Sequence, residues 1–151
     1  MLPDAQTIRR MLATGGAYDA EVAETGLGVV VRTEASVLID ALAALSAEGY
    51  ESLIDYDGTD TGSAVELTCR LRSYEHGLEV FVKTVVPYGA EVASVWNLYP
   101  AALMPERETA ELFGLRLSGH PNPKRLLTTD GVPPLLRKDV AIRTPEEARQ
   151  R

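Results

Sequence analysis

The sequence predicts an α+β fold of two layers, in which a mixed or antiparallel sheet carries helices on one face. Three features predict it: two long strand-type segments joined by a short turn, amphipathic helical segments, and a proline-rich C-terminal stretch. The chain has 151 residues, 45% hydrophobic and 25% charged, which is typical of one soluble domain. We therefore expect an α/β domain over residues 1–116 and an extended docking arm over residues 117–151.

The first third of the chain predicts two helices with a strand between them. Asp4 can cap a helix over residues 5–13. Residues 28–32 are glycine, three valines and arginine, which favours a short strand. Residues 35–48 carry leucines at i, i+4 and i+7 and are followed by Gly49, which predicts an amphipathic helix that ends there.

The middle of the chain predicts most of the sheet. Residues 50–56 indicate a strand, and the glycine- and aspartate-rich residues 57–62 indicate a loop. Residues 64–72 alternate apolar and polar, whereas residues 78–86 are apolar on both faces. The five residues between these segments, 73–77, are short enough for a hairpin.

A broken helical segment is expected after the hairpin, ending at Phe113. Pro100 and Pro105 both suit the first turn of a helix. Glu106 and Glu108 then lie near the positive end of that helix, which favours carboxylates. The residue types in this region are therefore those that a helix starting there would favour.

The arm has no evident fold of its own. Its prolines lack backbone donors and fix φ, so helix or central strand is not expected between residues 117 and 136. A long irregular segment is usually functional, disordered or laid against something else, and spaced leucines argue against simple disorder. The prolines are Pro121, Pro123, Pro133 and Pro134, and the apolar residues are Leu126, Leu127, Val132, Leu135 and Leu136.

Charge is divided unevenly between body and arm. Residues 1–115 hold 7 Lys and Arg against 18 Asp and Glu, whereas residues 116–151 hold 8 against 4, within a net charge of −7. Two interpretations stay open: the basic arm folds back on its own domain, or it binds a protein partner. Nucleic acid is not expected, because the body would repel phosphate and no aromatic residues interleave with the arm's arginines.

The single cysteine and the hydropathy pattern exclude several classes of protein. Cys69 is alone, so an internal disulfide is impossible and the usual iron–sulfur and structural zinc sites cannot be assembled. It falls on the apolar side of an alternating strand, which predicts a buried side chain. No apolar run approaches the roughly 18 residues of a membrane span, and the N-terminus lacks a secretory apolar core. These features predict a cytoplasmic chain that reaches a membrane only through a partner.

Catalytic chemistry has few candidates. Glu108 and Glu111 share a helix face and form a conceivable acid–base pair, although a solvated first turn is the simpler interpretation. His120 could act as a base oriented by Asp130 or Asp139. It could equally be a turn residue or an interface hydrogen-bonding group, because it lies between glycine and proline. No serine or cysteine lies in a recognisable nucleophile turn.

The C-terminal third resembles a known family. It contains, in order, the short elements Glu106-Arg107-Glu108, Glu111-Leu112-Phe113-Gly114, Gly119-His120-Pro121, Arg125-Leu126-Leu127 and Leu136-Arg137-Lys138-Asp139. In order and spacing these elements resemble the signature of the 30-kilodalton subunit family of complex I, the proton-pumping NADH:quinone oxidoreductase. Related subunits occur in membrane-bound hydrogenases.

The resemblance implies an accessory subunit without a cofactor, whose arm packs along a large 49-kilodalton-like subunit. It implies that this partner lines a quinone site or, in hydrogenases, carries a nickel–iron centre. A small neighbouring subunit and others would hold the iron–sulfur clusters. The whole assembly would lie on the cytoplasmic face of the membrane, with no direct insertion of this chain.

The resemblance also implies a set of interface residues. We expect Arg125 and Arg137 to anchor the arm on the large subunit, and Arg107 and Glu111 to pair within the helix. The motif positions carried over are Glu106, Arg107, Glu108, Glu111, His120, Arg125, Arg137, Lys138 and Asp139.

Departures from the motif leave the branch of the family open. Quinone-reducing members usually carry a tryptophan and Gly-His-Pro before Leu-Arg-Lys-Asp, whereas this chain has Pro133-Pro134 there, follows Asp139 with Val140 and ends at Arg151. A hydrogenase or formate hydrogenlyase subunit is therefore an alternative. Two alternatives of other classes are a small hydrolase using His120 and a soluble adaptor whose basic arm binds an acidic partner.

Overall fold

The computed structural model describes residues 4–17, 19–26 and 28–141. Across these residues the chain forms α-helices and two sheets, with short 3₁₀ turns preceding the second and third helices at Ala35–Val37 and Pro100–Ala102. The helices are α1 (Ala5–Thr14), α2 (Leu38–Ala47) and α3 (Leu103–Phe113). The strands are β1 (Glu21–Thr25), β2 (Gly28–Arg32), β3 (Ser52–Asp60), β4 (Ala64–Arg72), β5 (Glu79–Pro87), β6 (Glu91–Ala93) and β7 (Arg116–Ser118).

The main sheet is mixed, as the sequence predicts. Its strand order is β1-β2-β5-β4-β3, with β2 parallel to β5 and the other neighbours antiparallel. The predicted hairpin joins β4 to β5, in register from Ala64 opposite Pro87 to Arg72 opposite Glu79. A second, parallel pair is formed by β6 and β7. This small pair brings the start of the arm beside the segment that leads into α3.

One face of the sheet carries the helices and the core. Alternate residues of β4 are buried, and the apolar faces of α1 and α2 join the same cluster. Cys69 is 1% exposed, as the alternation predicts, and burial raises the pKa of its thiol to about 12. α3 covers the β3 end, where Phe113 lies so close to Gly58 that a Cβ there would approach its ring to 2.8 Å. In the described part of the molecule the opposite face of the sheet is the more open one, since the β4 side chains on it are only partly buried.

The predicted α1 is confirmed together with its cap. Asp4 accepts a hydrogen bond from the Thr7 amide at 2.8 Å, while Ile8 and Leu12 are buried. The predicted α2 is confirmed over Leu38–Ala47, after the 3₁₀ turn. Of the helices in the described part, none is both long enough and apolar enough to cross a membrane.

Four strands differ from the sequence-based expectation: β1, β6 and β7 are not predicted, and β3 is longer than predicted. The sequence does not predict β1, because Val22 is its one buried residue and the segment lacks a strand pattern. The loop predicted at residues 57–62 is wrong for its first four residues, because β3 continues through Asp60, opposite Val65. Pairing with β4 therefore outweighs the local turn preference of aspartate and glycine.

The beginning of the arm is more ordered than its prolines suggest. β7 occupies Arg116–Ser118 and pairs with β6, so the predicted boundary between residues 116 and 117 falls inside a strand. From Gly119 to Ala141 no further helix or strand follows, in agreement with the prediction for the prolines. The division into two domains stays a prediction, and residues 142–151 lie outside the described residues.

Candidate interaction site on the third helix and the arm

The described arm, residues 117–141, runs back over α3 and the end of β3. A backbone hydrogen bond joins the Leu136 amide to the Leu112 carbonyl at 3.0 Å, and side chains of α3 bind the arm further upstream. Of the two interpretations that the charge division left open, the folded-back arm describes this stretch. The arm is therefore held along the domain by hydrogen bonds, and we call residues 117–141 in this arrangement the strap.

Arg107 and Glu111 hold the arm by its backbone, and we name this pair the backbone clamp. Arg107 donates from Nε to the Lys124 carbonyl at 2.7 Å and from Nη2 to the Arg125 carbonyl at 2.9 Å. Glu111 accepts hydrogen bonds from three successive arm amides and from the Thr128 hydroxyl. The ion pair predicted between Arg107 and Glu111 is not among the ion pairs of the described chain, because both groups are committed to the arm.

The Glu111 carboxylate is stabilised in its charged form. Partial burial opposes ionisation, but the hydrogen bonds from Thr128, Leu127 and Leu126 outweigh it and lower the pKa to about 2. An anion that accepts several amide donors is stabilised in this way. The family motif predicts Glu111 at an interface, and within the chain the surface that it binds is the arm.

Glu106 behaves differently, since its side chain is completely buried. Its Oε1 accepts the Val95 amide at 2.7 Å, and its Oε2 accepts the Ser94 hydroxyl at 2.5 Å. Burial raises the pKa of Glu106, opposed by the Ser94 and Val95 hydrogen bonds and by nearby His120. The solvated first turn suggested by the sequence is wrong for this residue, although it describes Glu108, which is exposed.

His120 lies near the start of the arm, just after β7, and its side chain is buried. Its Nε2 donates to the Leu103 carbonyl at 2.9 Å, and its Nδ1 accepts the Asn122 amide at 3.0 Å, an arrangement that fits the neutral Nε2–H tautomer. The ring lies 3.8 Å from Glu106 and its side chain is 1% exposed. Its partners are therefore Leu103, Asn122 and Glu106, whereas the hydrolase alternative required Asp130 or Asp139.

Two arginines of the motif shape the arm from within. Arg125 donates to the Thr128 hydroxyl at 2.7 Å and to the Val132 carbonyl at 2.8 Å, which folds residues 125–132 into a loop. Arg137 binds Asp139 through Nε at 2.9 Å, and its guanidinium lies 3.8 Å from the centre of the Tyr88 ring. Both guanidinium groups are thus already bonded within the chain.

The end of the arm is attached to the sheet through Asp60. This carboxylate accepts hydrogen bonds from the Tyr88 hydroxyl, the Lys138 amide and the Gly62 amide. The Tyr88 hydrogen bond is the main cause of the lowered pKa of Asp60. Burial, with Asp60 beside it, raises the pKa of Tyr88 to about 12. Lys138 of the motif therefore contributes its backbone here.

Four leucines of the arm are exposed to solvent. Leu127 is 59% and Leu136 53% exposed, although the arm backbone beneath them is hydrogen-bonded. We name this surface the leucine face. Its residues are Met104 of α3 and Leu126, Leu127, Leu135 and Leu136 of the arm.

Glycine is required where α3 turns toward the arm. Gly114 has φ +72°, in the left-handed region, and a Cβ there would lie 3.0 Å from the Pro134 ring. The predicted end of the helix at this glycine is confirmed, and the structure adds the close approach of the arm.

The sequence motif identifies one side of this site and misses the other. The local pattern predicts a loop at Asp60, and the donors Ser94, Tyr88 and Thr128 carry no motif that would single them out. The Asp-rich segment before β4 is the available signal for Asp60. Neither the charge pattern nor the spacing indicates that Glu106 and Glu111, on one helix, have opposite environments.

Metal ligands are not clustered in this part of the molecule. Across residues 4–17, 19–26 and 28–141, no group of three or more His, Cys, Asp and Glu side chains is arranged to hold a metal ion.

The fold and the contacts of the arm together define the class of this protein. It is a two-layer α/β protein whose arm is hydrogen-bonded to its third helix and exposes apolar side chains.

The family follows from comparison with known proteins. The model of the family described as respiratory-chain NADH dehydrogenase, 30 Kd subunit, matches residues 31–146, from β2 through the whole described arm. The chain belongs to this family.

Individual relatives agree with the family match. The chain is 37% identical over 100 residues to the C subunit of NADH-quinone oxidoreductase from Methylobacterium sp. (strain 4-46), a match that covers 62% of this chain and 46% of that relative. It is 30% identical over 142 residues to the J subunit of NAD(P)H-quinone oxidoreductase from Prochlorococcus marinus (strain NATL2A), covering 85% of this chain and 81% of that one. The chain thus spans less than half of the Methylobacterium relative.

Solved structures share the fold. A trypsin-resistant fragment of Nqo5 superposes with a TM-score of 0.63 and 25% identity, over 75% of this chain and 96% of that fragment. A chain of the archaeal membrane-bound sulfane sulfur reductase superposes with a TM-score of 0.67 at 23% identity, over 76% of this chain and 70% of that one. The predicted fold class is therefore confirmed.

Proposed function

We propose that this chain is a non-catalytic accessory subunit of a complex-I-like oxidoreductase and docks on the large quinone-site subunit through the leucine face. One observation carries the proposal: the arm backbone is fastened to α3 while its leucines stay exposed. A strap held this way presents its apolar side chains at little further cost in conformational entropy. Large apolar side chains that stay exposed on a fixed backbone are suited to burial at a protein interface.

The proposal assigns the redox chemistry to other subunits. Iron–sulfur clusters and a quinone site, or a nickel–iron centre, would be held by the large subunit and a small iron–sulfur subunit on the cytoplasmic face. The environments of the candidate catalytic groups support this. His120 is buried with both ring nitrogens bonded, Glu111 is bound to the arm, and burial keeps the Cys69 thiol protonated.

The hydrogenase-type branch is the second candidate. Pro134 packs against Gly114, so the Pro133-Pro134 departure from the quinone-type motif lies within the strap itself. The same scaffold would then dock on a nickel–iron subunit. The adaptor alternative has less support, because Arg125 and Arg137 already bind partners within the chain. Direct anchoring of the large subunit by these arginines stays a prediction.

Purification of the tagged chain from its native membranes tests the proposal. We expect a quinone-type large subunit to copurify, and Leu127→Glu with Leu135→Glu to lower its recovery at least about tenfold, because charge in an apolar interface is costly. Tyr74→Glu, compared with Leu127→Glu alone, is the control for an added charge, since Tyr74 is 66% exposed and lies in the β4–β5 turn.

Thermal melting of each variant separates docking from folding, and every variant is expected to melt like the unmodified chain. A nickel–iron subunit in place of the quinone-type one would select the second candidate. Recovery of the chain alone, or of the full complex with both leucines substituted, would contradict the proposed docking.

A further inference from the structure

The outer side of β3 is a free sheet edge in the described part of the molecule. β3, nine residues from Ser52 to Asp60, ends the strand order and pairs with β4 alone, with a register shift between Leu53 and Asp55. It is as long as β4 and β5, whereas natural edge strands are often shortened to prevent association. Two grooves, one on each side of the sheet, follow this edge.

The first groove lies on the open face of the sheet. It has a volume of about 300 Å³, with Val30 and Phe81 as its apolar part and Asp55 and Asp57 along β3. The second groove lies between β3 and α3, with a volume of about 280 Å³. Its apolar lining comes from Pro105, Leu112, Phe113 and Leu136, and the same stretch of β3 borders it.

The free charge at this edge is negative. Asp55 and Asp57 are exposed, and neither takes part in an ion pair of the described chain. The nearby cations are already neutralised: Arg70 binds Glu79 through two hydrogen bonds, and Lys83 binds Glu66 at 2.7 Å. Asp55 and Asp57 therefore have no ion-pair partner in the described chain and could each bind a cationic side chain of another protein.

The edge backbone also has a donor that a partner could use. Asp57 accepts the Gly58 amide at 2.7 Å, so this amide points to the outer side and is held by its neighbour's side chain. A carbonyl of an added strand could replace that carboxylate. Asp57 would then be released to bind a cation on the partner.

We propose that the β3 edge accepts an extended segment of a partner subunit in which lysine or arginine alternates with apolar residues. Side chains of an added strand alternate between the two faces of a sheet. The basic residues would lie beside Asp55 and Asp57 on the open face, and the apolar residues would enter the groove against α3. This interface goes beyond the proposed leucine-face docking, with which it shares only Leu136. It does not require a partner on the other residues of that face.

The test uses the full chain and a nine-residue peptide of alternating lysine and valine. We expect binding, with hydrogen exchange at the Gly58 amide slowed at least about tenfold and the amides of β1 unchanged. Asp55→Asn with Asp57→Asn should weaken binding at least about tenfold, because both charges that face the basic residues are removed. Glu75→Gln with Glu91→Gln is the control, since it removes two exposed charges from other parts of the molecule.

Two further peptides make the outcome decisive. A peptide of the same composition with its lysines and valines in separate blocks, and one with glutamate in place of lysine, should bind at least about tenfold more weakly. Protection at β1 in place of β3, equal binding of the block peptide, or equal losses in both pairs of variants would overturn the proposal. Absence of binding by the alternating peptide at millimolar concentration would do so as well.

Discussion

Glu106 and Glu111 lie on the same helix, five residues apart, yet their environments are opposite. Glu106 is fully buried between the β6–α3 segment and His120, and burial raises its pKa. Glu111 is half-buried against the arm, and hydrogen bonds from the arm lower its pKa to about 2. One carboxyl belongs to the core of the domain, whereas the other belongs to the strap.

The difference shows that a carboxylate's role depends on the donors around it and on its access to water. Glu106 has two donors and is shielded from solvent, so its charged form is disfavoured on balance. Its contribution to stability is greatest below its unfolded pKa and is lost as pH rises toward the raised folded pKa. For Glu111 the direction is reversed, because its folded pKa is the lower one.

Removal of the Glu106 carboxyl should have the largest effect. Glu106→Ala leaves the Ser94 hydroxyl and the Val95 amide without their partner in the core, so we expect a loss of about 3 kcal/mol in the free energy of unfolding. Denaturant unfolding measures this loss. Glu108→Ala, on the same helix but exposed, should change stability by no more than about 0.5 kcal/mol. Equal losses in the two variants would place Glu106 outside the core.

A side chain at the end of α3 should have the next largest effect. Gly114→Ala forces alanine into the left-handed region and against Pro134, so we expect a cost of about 1–2 kcal/mol. Gly114→Asn tests the backbone separately, because asparagine tolerates this conformation better than alanine. If the asparagine variant is as unstable as the alanine variant, contact with Pro134 decides the cost; if it recovers stability, φ does.

Protonation of the Glu111 carboxyl should loosen the arm without unfolding the domain. Its stabilisation is present above the usual pKa of 4.5 and is lost as pH falls toward about 2, so the arm should loosen across this range. NMR titration of the Glu111 carboxyl and of the Thr128 amide measures this, with a midpoint near 2 expected. Glu111→Gln should remove the pH dependence of the arm, while the amides of β4 stay protected. A midpoint near 4.5, the usual value, would contradict the clamp.

Arg107→Lys should have the smallest effect. A lysine keeps the charge but cannot reach both the Lys124 and Arg125 carbonyls with the fork of two donors. We expect hydrogen exchange at residues 126–128 to rise about threefold, with no change in global melting. A large drop in melting temperature would show that the clamp supports the whole domain, against the distinction between core and strap.

Periodicity predicts the elements that bury a face. The alternation in β4, the leucine spacing of α2 and the Asp4 cap are sufficient, because burial and capping are local in sequence. β1 and the end of β3 escape prediction, since only pairing with a neighbouring strand makes them strands. The sequence motif that resembles the 30-kilodalton family lies in α3 and the arm. The match of the family model to residues 31–146 confirmed the family.

The sequence by itself determined a two-layer α+β fold, a buried Cys69 and an irregular arm, because residue spacing and proline chemistry act locally. Tertiary structure alone decided that the arm folds back on α3, that Glu106 is buried while Glu111 is not, and that Asp60 receives the end of the arm. The physical reason is that hydrogen-bond partners distant in sequence set the solvation of each charge. The residue type determines which charge is available, and the fold determines which hydrogen-bonding groups and how much water surround it.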